Sequence, residues 1–187
     1  MGHGTSISRD CPTSMMIAFL DDPTQAPGNS CISAMTEPQF YVVGKIEDIK
    51  LEPYTDATMG ISGVVPVGWR EIGQGTYARS QSPLDLALLF QLSGDGVSSE
   101  RVALAIMPQL GLQKLPDASS AYQSKTLNWK VYRTTATLQG EKLSLAIALA
   151  DAGGRAYFVM LTANADELDA LSKVVLMPAL DAMTASK

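Results

Sequence analysis

The sequence predicts an α+β fold, an antiparallel sheet sandwiched by helices and preceded by a short helical segment. Three observations predict it. First, Leu127–Leu138, Leu143–Ala150 and Ala156–Ala163 are β-rich runs separated by short turns that contain Gly140 and Gly153-Gly154. Loops that short join antiparallel neighbours rather than parallel crossovers. Second, the middle run sets Leu143, Leu145, Ile147 and Leu149 against Ser144, Ala146, Ala148 and Ala150. Neither face is charged, so the strand must be covered on both sides, and the small-residue face leaves room for a closely packed helix. Third, helical spacing flanks the runs, with Val102, Ala105, Ile106 and Leu110 before them and Leu168, Leu171, Val175 and Met183 after.

The remaining elements follow in order. Pro12 suits the first turn of a helix that runs to Leu20 and stops at Asp21-Asp22-Pro23. Residues 23–29 read as a loop, and Phe40–Val43 as a short strand or extended link. Residues 45–58 are polar, with only weak periodicity from Ile46, Ile49 and Leu51, and read as a linker able to pair as a strand. Ile61–Pro66 is a short strand, Gly73-Gln74-Gly75 a turn, Thr76–Arg79 another strand, and Leu86–Leu92 an apolar strand broken at Gly94-Asp95-Gly96. Ser98 caps a helix over about 99–110, whose last turn Pro108 restricts. Asn164 and Glu167 have capping-box spacing, Pro178 should kink the final helix, and residues 184–187 should fray. The expected organisation is therefore a first unit at 1–44, a linker at 45–58 and the main domain at 59–187.

Composition narrows the function classes. Apolar residues make up 46% and charged residues 18% of the 187 positions, which suits a packed core. Net charge is −5, and the densest basic stretch holds only Lys125, Lys130 and Arg133. That argues against nucleic acid and against anionic membrane surfaces as partners. The apolar run Met15–Leu20 is too short to span a membrane and has no basic flank of the signal-peptide kind, so any export signal is expected outside the chain. Two cysteines allow one bridge, and by spacing alone Cys11 and Cys31 are as readily two separate buried thiols as a pair. With His3 the single histidine, no zinc site is expected, and no other metal or cofactor is implied.

The N-terminal string Gly2-His3-Gly4-Thr5-Ser6, followed by Cys11, the apolar run 15–20 and Cys31, resembles the closing segment of secreted α/β-hydrolases of the tripeptidyl-aminopeptidase-like type. The resemblance implies that His3 is the base of a catalytic triad, that Cys11 and Cys31 form a disulfide, and that the protein is extracellular or resides in the cell envelope. Such a hydrolase also needs a serine on a Gly-x-Ser-x-Gly elbow ahead of the histidine, and two residues precede His3. The chain by itself is therefore not expected to be a complete triad enzyme. Farther along, Val65-Pro66-Val67-Gly68-Trp69 resembles the Pro-x-Gly-Trp opening of PsbP-like domains. That resemblance covers 59–187 and implies a module that binds partners without a shared active site.

Other chemistry-bearing residues have plainer readings. In Gly60-Ile61-Ser62-Gly63 the second glycine directly follows the serine, so Ser62 reads as a strand residue rather than a nucleophile. Asp21 and Asp22 read as a helix stop rather than paired carboxylates. Gly94-Asp95-Gly96 is too short for a calcium loop. Trp69 and Trp129 read as core-edge residues before ligand platforms. The function expected is a non-catalytic C-terminal accessory region of an exported α/β serine hydrolase, with an α+β domain that modulates partner or substrate access. Its partner would be an upstream hydrolase domain or another protein. The alternative is a free-standing α+β binding or assembly module without enzymatic role, and a third reading is an enzyme whose site lies within the PsbP-like domain itself.

Overall fold

A computed structural model describes residues 10–34, 44–82, 85–138 and 140–185, which fall in two units, 1–40 and 41–187. His3 and the expected strand at 40–43 lie outside the described residues.

In the first unit, helix α1 spans Asp10–Asp21. Asp22 ends it by accepting bonds from the Thr24 amide (3.0 Å) and hydroxyl (2.6 Å). A 3-10 turn over Ser30–Ala34 follows, and the Cys11–Cys31 disulfide joins it to the helix with Cα atoms 5.6 Å apart.

The second unit begins with a 3-10 turn at Ile46–Asp48 and strand β1, Leu51–Asp56, which pairs antiparallel with β2, Ile61–Pro66. The stretch 45–58 expected as a linker thus carries a paired strand. The backbone of β1 is held by the β2 ladder, and its side chains, half of them exposed and none fully buried, account for the weak hydrophobic signal. Strands β3 (Arg70–Gly73) and β4 (Thr76–Ala78) form a hairpin, and β4 pairs with β5, Leu88–Asp95. Helix α2 covers Ser99–Ile106, with the Ser98 hydroxyl accepting from the Arg101 amide, and a 3-10 turn replaces its expected last turn at Met107–Leu110. Pro108 lacks the amide that an α-helical turn would use there.

The next strand, β6 at Ser120–Gln123, is an edge strand that the sequence pattern did not reveal, because its residues are almost all exposed. Strands β7 (Asn128–Leu138), β8 (Glu141–Ala152) and β9 (Arg155–Ala163) form the expected meander. Gly153 and Gly154, both at positive φ, make the two-residue turn between β8 and β9. The full sheet is antiparallel with seven strands in the order β3-β4-β5-β9-β8-β7-β6.

The two faces of β8 build the two halves of the core. Leu143, Leu145, Ile147 and Leu149 pack with Phe158, Met160, Ala103 and Met107 beneath α2. Ala146, Ala148 and Ala150 pack on the opposite side with Leu168, Leu171, Val175 and Leu180 of the C-terminal helix and with Ile61 and Val65 of β2. The alanines allow that close approach, and each fully buried Leu or Ile contributes about 1.5–3 kcal/mol.

The C-terminal helix departs from expectation at both ends. It begins at α3, Leu168–Leu171, rather than Asn164. The Asn164 carbonyl accepts from the Glu167 and Leu168 amides, but its side chain caps no backbone group; its amide donates to the Glu167 carboxylate at 3.3 Å. Glu167 turns instead toward Arg79. The kink expected at Pro178 is a π-helical turn over Ser172–Leu176 before α4, Met177–Ala182. Thr184-Ala185 does not fray: it forms β10, pairs with β2, and completes a second sheet in the order β1-β2-β10.

Candidate functional site

Charged groups converge where the end of β4 meets the start of the C-terminal helix. Arg79 directly follows β4, and Asp85 lies in the loop leading to β5. The Arg79 Nε donates to both Asp85 oxygens (3.1 and 3.0 Å) and Nη2 to Asp85 at 2.7 Å. Nη1 and Nη2 each reach Glu167 at 2.9 Å. The side chains of Arg79 and Asp85 are only 6% and 5% exposed, so this is a buried ion network. Burial opposes the Arg79 charge, but the bonds to Asp85 and Glu167 outweigh it and hold the guanidinium firmly protonated. Burial likewise opposes the Asp85 charge, and the Arg79 and Ala87 donors overcome it, keeping its carboxyl below the usual range. The network ties the 79–87 loop to the start of the C-terminal helix.

Beside this network an open cavity of about 310 Å³ is lined by Lys45, Asp48, Lys50, Val67, Trp69 and Arg79, among others. Trp69 is half-buried and Val67 is 51% exposed. The 3-10 turn at 46–48 and the bond from the Val67 amide to the Lys50 carbonyl (2.9 Å) place the lysines and the tryptophan on one rim. Such a surface can hold a ligand by apolar contact with Trp69 and Val67, with charges of both signs at the edge. A second open cavity, about 480 Å³, lies among Leu104 of α2, residues 114–118, and Lys130 and Tyr132 of β7.

The other sequence candidates are placed as follows. Cys11 and Cys31 are bonded to each other. Ser62 lies on β2 with its hydroxyl 3.2 Å from that of Thr55. Asp95 is held by Arg155 through bonds of 2.6 and 2.7 Å. Trp129 is 1% exposed and packs edge-on to Tyr157, its indole donating to the Ser124 hydroxyl at 3.3 Å. It is a core residue, whereas Trp69 opens onto a cavity. Ser99 donates to Asp151 at 2.6 Å, an acid–hydroxyl pair that ties α2 to β8. Among the described residues no three His, Cys, Asp or Glu side chains gather as a metal site would require, and no helix is long and apolar enough to cross a membrane.

Sequence reading missed the Arg79–Asp85–Glu167 network. The two acids lie 6 and 88 residues from the arginine, and Glu167 had a local capping explanation. The available signal was a lone arginine closing an otherwise uncharged strand.

No protein-family model matches the chain, and no curated protein matches it in sequence. Several solved structures are similar to it in part. The cyanobacterial PsbP protein of Synechocystis (CyanoP) is 12% identical, with a TM-score of 0.49 over 80% of this chain and 98% of its own. LpqN, involved in cell envelope biogenesis of Mycobacterium tuberculosis, is 17% identical, with a TM-score of 0.45 over 75% and 92%. A protein from Bacteroides thetaiotaomicron is 12% identical, with a TM-score of 0.49 over 72% of this chain; the match spans about half, 48%, of that protein's length. The chain has an α+β fold of antiparallel sheets with a few helices.

Proposed function

We propose that this chain is a non-catalytic accessory region of an exported α/β serine hydrolase. In this reading residues 1–44 supply the closing helix of the hydrolase, with His3 as its base. The α+β domain, for which the sequence suggests 59–187, modulates access of a partner or substrate. The observation that carries the reading is α1. No charged residue lies between Asp10 and Asp21, and its apolar side chains face water: Met16 is 40% exposed, Ile17 51%, Phe19 51% and Leu20 70%. A helix that is apolar nearly all round belongs against other protein surface. Covering these four side chains would contribute several kcal/mol, at about 1.5–3 kcal/mol for each one fully buried. A disulfide in the same unit is compatible with an exported protein.

The test has two arms. Purified chain should show no turnover of an activated ester or of chromogenic peptides above buffer; turnover that vanishes in His3→Ala would overturn the reading. The genomic sequence in frame ahead of Met1 should encode a Gly-x-Ser-x-Gly elbow. In the longer protein, substituting that serine or His3 by alanine should lower kcat by several orders of magnitude. A gene without such an elbow would sink the proposal.

The cavity at Trp69 favours a second reading, a free-standing binding or assembly module, since an open cavity lined by a half-buried tryptophan in a unit with its own core needs no hydrolase to bind a partner. The upstream elbow separates the two.

A further inference from the structure

We infer that the cavity beside Trp69 is a binding site for a small aromatic carboxylate, its ring packed on Trp69 and its charge met by Lys45 and Lys50. The ligand class deepens the module reading above, on which it rests. Two pieces of chain build the site. The 3-10 turn at Ile46–Asp48 has Lys45 before it and Lys50 shortly after. Gly68, at φ +82°, turns the chain between β2 and β3 and brings Val67 and Trp69 to the same cavity. The Trp69 amide closes this turn on the Pro66 carbonyl at 3.2 Å, and the Val67 amide joins it to the Lys50 carbonyl at 2.9 Å. Trp69 and Ile49 both pack against the buried core of the unit, so the apolar wall is held in place before any ligand arrives.

The charge at the site favours an anion. Among the described residues, Lys45, Lys50 and Arg79 line the cavity against a single acid, Asp48. Arg79 is committed to Asp85 and Glu167. Lys45 and Lys50 are exposed, and among the described residues neither ammonium has a hydrogen-bond or ion-pair partner. Lys130, by contrast, is paired with Glu100 at 3.0 Å. The two lysines are therefore the groups left to meet a negative charge. Size narrows the ligand further. The cavity volume of about 310 Å³ lies at the small end of ligand pockets, roughly 300–1,000 Å³, which suits one ring with a short acid. An aromatic ring on the Trp69 indole should bind roughly two- to tenfold more tightly than a saturated ring of similar size. Each exposed lysine that meets the carboxylate should add up to about fivefold.

Titration of the isotope-labelled full chain with benzoate tests the site, read by NMR at the indole N–H signals of its two tryptophans. Trp69→Phe assigns them. Benzoate should shift the Trp69 signal and leave that of Trp129, which is 1% exposed, in place. Benzamide, its uncharged isostere, should bind several-fold more weakly, and cyclohexanecarboxylate roughly two- to tenfold more weakly. Lys45→Ala/Lys50→Ala should weaken benzoate roughly two- to thirtyfold and leave benzamide unchanged. Asp48→Asn should tighten benzoate by up to about fivefold, and added salt should erode the difference between benzoate and benzamide. Three results would each overturn the inference: no shift of Trp69 at tens of millimolar benzoate, equal affinity for benzoate and benzamide, or unaltered benzoate binding in the double lysine variant with its amide spectrum otherwise preserved. The upstream elbow decides the module reading separately, whichever way the titration falls.

Discussion

Arg79 ties two distant segments together through a single side chain. Its guanidinium holds the 79–87 loop through Asp85 and the start of the C-terminal helix through Glu167. Removing it strands two carboxylates in a largely dry site. Arg79→Ala should therefore cost about 3–5 kcal/mol, measured by denaturant unfolding, whereas replacing Arg79, Asp85 and Glu167 together by apolar residues of similar volume should cost much less. The network also gives the protein an acid limit. The Asp85 carboxyl titrates below its usual range in the folded state, so its contribution is full above the unfolded pKa of about 3.9 and is lost as pH falls through the lower folded value. Melting temperature should fall with pH in that window, and Asp85→Asn should flatten part of the fall. A profile unaltered by Asp85→Asn would show that other carboxylates set the acid limit.

At the scale of elements, the tight spots are where strands meet. Gly75 turns the β3–β4 hairpin at φ +67°, and its carbonyl accepts from the Gln91 amide at 2.8 Å. A Cβ there would press into the Gln91 carbonyl. Gly75→Ala should destabilise the unit by about 1–3 kcal/mol from the left-handed backbone alone, and by more once the clash is included. Ala148 in the middle of β8 is fully buried toward the C-terminal helix. Ala148→Leu should cost about 1–3 kcal/mol by overpacking. Thermal melts check both, and a neutral Ala148→Leu would mean that the helix can move outward. Secondary structure was legible wherever one element had its own periodicity, as in β7, β8 and β9. It was not legible for β1, β6 and β10, which bury no side chain fully and whose backbones are ordered by the neighbouring strand.

At the scale of the molecule, the boundary between the two units bears on function as well as on folding. We propose that the α+β unit folds without the first unit. Residues 44–187 should give one cooperative melt. The shorter 59–187 should also melt cooperatively, at a lower temperature, because it lacks β1 and so leaves one edge of β2 unpaired. Absence of a cooperative transition in 44–187 would place α1 within the main core. In the full chain, exposed Phe19 and Leu20 should promote self-association that Phe19→Ser/Leu20→Ser relieves, as sedimentation would report.

The sequence by itself determined the α+β class, the central meander and its large and small faces, because alternation along a strand records which side must be dry. It also marked the helix that carries the apolar run 15–20. The site was less legible: His3 and the cysteines stood out by type, while Arg79, Asp85 and Glu167, and the cavity at Trp69, did not. Only the tertiary structure decided these. A buried ion network takes its meaning from residues brought together across 88 positions, and an edge strand from the hydrogen bonds of its neighbour. Neither leaves a local period in the chain, since the physics that creates them acts between segments rather than along one.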